Sequence, residues 1–171
     1  MLRGIAVAAF ALFLIAPAAT DVLAAPGHSK SSTMIWMAPS SKVAQAAYML
    51  NEGEVQEGMR LSWEAIRQDN LEFRDRAAAF NNLCIGSTML RQYENAVTHC
   101  STAHKLNAQM WQALNNRANA YFWLGRFDEA IQDYENAIRL RPNMDILRRN
   151  LDLVVRYKEL DLAPPTRGYD S

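Results

Sequence analysis

The sequence predicts an all-α fold, a short solenoid of helix–turn–helix repeats with a C-terminal capping helix. Two observations carry this. Sliding the chain against itself by 34 residues aligns Asn81-Asn82 with Asn115-Asn116, Leu90 with Leu124, Ala96 with Ala130, Ala103 with Ala137 and Leu106 with Leu140. Tyr93-Glu94 also falls on Phe127-Asp128, and Val97 on Ile131. These matches recur at helical spacing, so they mark packing faces rather than shared composition.

Residues 1–24 read as a secretory signal peptide. Arg3 supplies the positive start, Gly4 to Ala16 is an unbroken apolar run, Pro17 breaks it, and small residues lead to a cut after Ala24. A membrane-spanning helix is the competing reading, but the run is well short of the roughly 20 residues a span needs. Residues 25–40 form an N-terminal arm. Its Met34-Ile35-Trp36-Met37 cluster is expected either to cap the first repeat or to dock a partner. Helices are expected near 41–52, 54–69, 74–90, 92–106, 110–124 and 127–140, making three repeats. The joint around Phe73 to Arg76 holds about four extra residues, which predicts a longer helix there. A seventh helix near 143–160 follows Pro142, with Asn143 expected as its N-cap. Ile146, Leu147, Leu151, Val154 and Val155 give it one apolar face, as a terminal cap requires. The repeats and cap thus fill 41–160, and 161–171 is expected to be a flexible tail.

Composition narrows the function. The 171 residues carry 18 basic and 18 acidic side chains. Arg3 and Asp21 leave together with the signal, so the exported chain stays neutral. Neutrality argues against a nucleic-acid partner, and no second apolar segment predicts stable membrane insertion after cleavage. Nothing in the sequence forms a Gly-rich phosphate loop, a zinc-protease helix or a nucleophile elbow. No enzyme, cofactor or metal is expected.

The stretch ALNNRANAYFWLGRFDEAIQDYENAIRLRPN resembles the tetratricopeptide repeat family. It carries the family's small residue at Ala118, aromatic at Tyr121, turn Gly125, small Ala130, aromatic Tyr134, Ala137 and closing Pro142. It departs with Leu114 where Trp is typical and Arg117 where Leu is typical. The copy at 77–110 is more degenerate, with Cys84 at the small position, Ser87 for the aromatic, Arg91 for the turn Gly and Ala108 for Pro. An earlier copy spans about 39–72. The resemblance implies a right-handed solenoid whose first helices line a concave groove for a protein or peptide. Carried over by position, that groove would present Asn81, Asn82, Asn115, Asn116, Asn119, Phe122, Trp123 and Arg149. Asn amides could pair with a ligand backbone, and the two aromatic rings could anchor it; ordinary exposed or packed residues are the competing reading. Some members clamp a C-terminal carboxylate with basic and Asn side chains. Here Asn81 and Ile146 replace the bases and Ile85 replaces an Asn, so that clamp is broken.

By the same alignment Cys84 lies on the first helix of the middle unit and Cys100 on the second, facing it. Export permits a disulfide between them; two buried free thiols are the alternative. A zinc site from Cys84, Cys100 and His104 lacks a fourth ligand. The function expected is an exported, non-enzymatic scaffold, periplasmic or secreted, that binds an unidentified protein or peptide in its groove. The alternative is a structural subunit of a cell-envelope assembly using convex or end-to-end contacts, self-association included.

Overall fold

A computed structural model describes residues 42–165, which form seven helices and no strand. The expected signal peptide, the 25–40 arm with its apolar cluster, and most of the tail lie outside the described residues. The helices are α1 (Lys42–Asn51), α2 (Val55–Ile66), α3 (Phe73–Met89), α4 (Tyr93–Leu106), α5 (Trp111–Trp123), α6 (Phe127–Leu140) and α7 (Asp145–Glu159). Each expected helix is present, and α3, at 17 residues, is the longest. Two ends differ from expectation. Helix α2 stops at Ile66 because Arg76 reaches back and donates to the carbonyls of Ile66 (2.9 Å) and Gln68 (3.3 Å), occupying the helix's last acceptors. Asn143 is not the N-cap of α7. It sits with Pro142 in a turn in which Met144 N–H donates to the Arg141 carbonyl at 3.3 Å, so the helix begins one residue later than that cap would start it.

Each odd-numbered helix ends the same way. One residue takes a left-handed φ: Gly53 (84°), Arg91 (60°), Gly125 (72°) and Asp161 (50°). The next N–H then donates back to a helix carbonyl, as Gln92 does to Ser87 (2.8 Å) and Arg126 to Tyr121 (2.9 Å). Glycine adopts this φ freely. At Arg91 the side chain makes it cost on the order of 1–2 kcal/mol.

Hairpin partners pack closely, and each even helix also packs on the following odd one. Successive odd helices touch as well, α1 with α3 and α3 with α5, while contact of that extent is not found between even helices among the described residues. An array whose odd helices crowd together and whose even helices splay curves with the odd helices inside. The core follows the repeats. Ala118, Phe122, Ala130, Tyr134 and Val154 form one buried cluster spanning α5, α6 and α7. In the middle repeat the corresponding cluster is Cys84, Ala96 and Cys100, with Ala120 from the next repeat.

The structure joins Cys84 to Cys100, with their Cα atoms 5.2 Å apart. These two cysteines occupy the positions that Ala118 and Tyr134 hold one repeat later. Ser87 stands where Tyr121 would, fully buried and with its hydroxyl unpartnered. The middle repeat thus replaces packed aromatic volume with a covalent link across α3 and α4. Replacing both cysteines by Ser should lower unfolding free energy by about 3 kcal/mol, read as a shift in urea midpoint. An unchanged midpoint would show that the link contributes nothing.

Candidate functional site

The concave face is built from the stripe of each odd helix that points away from its hairpin partner. At one-repeat intervals it carries Ala78, Gln112 and Ile146; Ile85, Asn119 and Leu153; and Met89, Trp123 and Tyr157, all half-buried. Arg149 and Arg156 are exposed on α7.

The asparagines expected to face a ligand are instead largely spent on joining the helices. Asn82 is buried and donates from Nδ2 to the Val43 carbonyl on α1 at 3.0 Å. One repeat later Asn116 donates to Asn81 Oδ1 on α3 at 3.1 Å. One repeat later again, Asn150 donates to Asn115 Oδ1 on α5 at 3.3 Å, and Asn115 donates to Asn116 Oδ1 at 3.1 Å. A continuous relay therefore runs Asn150, Asn115, Asn116, Asn81 across three helices. Asn82, Asn115 and Asn116 are each at most 7% exposed, so they form the floor of the face. Asn119 is half-buried and accepts the hydroxyl of the fully buried Tyr134, whose ionisation burial pushes well above its usual range.

Phe122 is likewise not a displayed anchor. It is 1% exposed and packs edge-on against Tyr157, with ring centroids 5.0 Å apart, because α7 closes over it. Trp123 remains half-buried, stacked on Tyr93 at 5.9 Å across to α4. Arg149 is exposed, as a binding residue should be. Of the eight expected groove residues, Asn81, Asn119, Trp123 and Arg149 reach the surface, while Asn82, Asn115, Asn116 and Phe122 lie beneath it.

Two arrangements were not foreseen. Arg117, at the position where the repeat pattern has Leu, makes a two-pronged ion pair with buried Asp133, both bonds 2.7 Å, and a third bond to Ser101 Oγ at 3.0 Å. Hydrogen bonding to Asp133 raises the Arg117 pKa, and the three residues tie α4, α5 and α6 together. The only hint in the sequence was an Arg at an apolar position followed sixteen residues later by Asp, the same interval that separates the two cysteines. The second is a convex ring cluster, in which Trp63 of α2 packs against Phe80 (6.1 Å) and His99 (5.6 Å).

Metal chemistry finds no support in this set. Cys84 and Cys100 are bonded to each other and so cannot ligate. No group of three or more His, Cys, Asp or Glu able to hold a metal occurs among the described residues. No described helix is long and apolar enough to cross a membrane.

Restoring the pattern with Arg117→Leu should destabilise the protein by about 3 kcal/mol, because Asp133 would be left buried and unpaired; chemical denaturation measures this. Burial lowers the pKa of His99 below 6.5, and burial together with Arg117 does the same for His104. The unfolded chain therefore binds more protons than the folded one below about pH 6.5. Stability should be full above that pH and fall as pH drops through the folded values. Melting temperature measured from pH 7.5 to 5 should decline, and His99→Gln with His104→Gln should flatten the decline.

Residues 111–144 match the family model described as tetratricopeptide repeat. Among curated proteins, the chain is similar to mouse DnaJ homolog subfamily C member 7, at 29% identity over 113 residues, 65% of this chain and 23% of that protein. The chain spans about a quarter or less of the length of the curated relatives it matches. Among solved structures, the first TPR domain of human RPAP3 superposes with a TM-score of 0.64 at 20% identity, covering 70% of this chain and 91% of that one. The first TPR of Spaghetti (RPAP3), solved bound to the HSP90 peptide SRMEEVD, gives 0.63 at 20% identity, covering 69% and 90%. Residues 111–144 are thus a tetratricopeptide repeat, and the seven helices that include it form an all-α solenoid of that repeat family.

Proposed function

We propose that this chain is an exported, non-enzymatic scaffold that holds a segment of another protein along its concave face. The observation that carries the reading is the inner stripe itself. Half-exposed Ile85, Met89, Trp123, Leu153 and Tyr157 alternate with the amides of Asn81, Gln112 and Asn119, all on a floor fixed by the asparagine relay. A preformed surface loses little conformational entropy on binding, and stiff apolar side chains among a few amides suit a peptide backbone. A fold neighbour with a peptide bound supports the same use of the fold. Export rests on the charged start, apolar run and small-residue stretch of residues 1–24, which favours a periplasmic or secreted location.

The alternative, a structural subunit using other surfaces, has its own observation. Phe73 (75%), Leu160 (62%) and Trp63 (39%) are exposed apolar side chains lying off the inner stripe. Ile85→Gln with Met89→Gln separates the two readings in affinity capture from the envelope fraction. The concave reading predicts that partner recovery falls about tenfold, with an unchanged melting temperature. Undiminished recovery, with loss in a Trp63→Ala, Leu160→Ser variant, would favour the structural subunit.

A further inference from the structure

We propose that the bound segment is acidic and internal to its own chain, and that Arg149 and Arg156 of α7 receive two of its carboxylates. This rests on the concave-face reading. The two arginines lie seven residues apart on the inner stripe of α7, two helical turns or about 10.5 Å along its axis. Both are exposed, and neither joins an ion pair or hydrogen bond among the described residues. Neighbouring cations are engaged: Arg148 with Asp145 at 3.8 Å, Lys158 with Asp128, and Arg126 with Glu129 at 2.7 Å. Asp152, exposed within one turn of each arginine, bonds to neither.

The rest of the inner stripe is uncharged along its length, from Ala78, Asn81, Ile85 and Met89 of α3 to Gln112, Asn119 and Trp123 of α5. A neutral chain therefore presents a concave face that is positive at its α7 end. Between the arginines lies Leu153, which packs with Tyr157 and Trp123 on one buried cluster, so the cations flank a contiguous apolar patch. This spacing decides the ligand chemistry. Two guanidinium groups two turns apart do not converge on one phosphate or on one terminal carboxylate. They fit two separate carboxylates with an apolar side chain between them. In an extended chain rising about 3.3 Å per residue, that places acidic residues three or four positions apart. Arginine is suited to this because its planar fork meets a carboxylate through two parallel hydrogen bonds.

The test is selection from a randomised dodecapeptide library, amidated at the C-terminus, against the full chain and against its Arg149→Gln, Arg156→Gln variant. The expected result is roughly three- to tenfold enrichment of Asp and Glu spaced three or four residues apart around an apolar residue, the gain two exposed ion pairs supply. That enrichment should vanish with the variant, which should still retain neutral peptides. Selection without acidic enrichment, or enrichment that survives in the variant, overturns this proposal and leaves the concave reading intact. A failure to select any peptide, or selection unaffected by Ile85→Gln with Met89→Gln, overturns both.

Discussion

Hydrogen bonding between successive odd-numbered helices is the constraint on which the rest depends. Asn82, Asn116 and Asn150 recur one repeat apart, and each reaches back to the previous odd helix, to a backbone carbonyl first and then to another asparagine. A buried amide without partners costs on the order of 1–3 kcal/mol, so each bond disfavours any slip of one helix along the next. Apolar contacts between helices are not directional and would tolerate such a slip more readily. With register fixed, the stripe above the relay becomes one continuous surface instead of three separate ones. The spacing between Trp123, Leu153 and the α7 arginines is inherited from it.

The middle repeat shows how a weak sequence copy is kept in that array. It lacks the turn glycine, the first-helix aromatic and the second-helix aromatic, and Arg91 takes up a strained turn in their midst. The link between Cys84 and Cys100 occupies the sites of the missing small and aromatic residues. One repeat later, the neighbouring positions on the two helices carry the Arg117 and Asp133 ion pair. One hairpin is thus tied by a covalent bond and the next by charge, at nearly the same level. The two solutions differ in what weakens them, reduction in one case and loss of a charged partner in the other.

Much of the fold was legible in the sequence because it is periodic. The 34-residue repeat, the extra turn in α3, the terminal helix and the facing cysteines all follow from spacing. The binding face was legible by position but less so by role. Asn116 and Phe122 stand where the family places groove residues, yet both are buried, since residue type alone does not say whether an amide meets a ligand or a neighbouring helix. Phe122 was hidden by Tyr157, a contact that depends on how α7 lies across α5 and α6. Arg117 looked like a departure from the pattern because its partner, Asp133, lies on another helix. Helix ends failed where a distant side chain, Arg76, settled them.

The relay is tested most directly by hydrogen exchange of the asparagine side-chain amides, followed by NMR on the intact protein. The account predicts that the Nδ2 protons of Asn82, Asn116 and Asn150 exchange slowly, protected like core backbone amides, while that of exposed Asn95 exchanges at the free rate. Exchange of all four at the free rate would contradict it, showing that neighbouring odd helices are not held in register by these bonds.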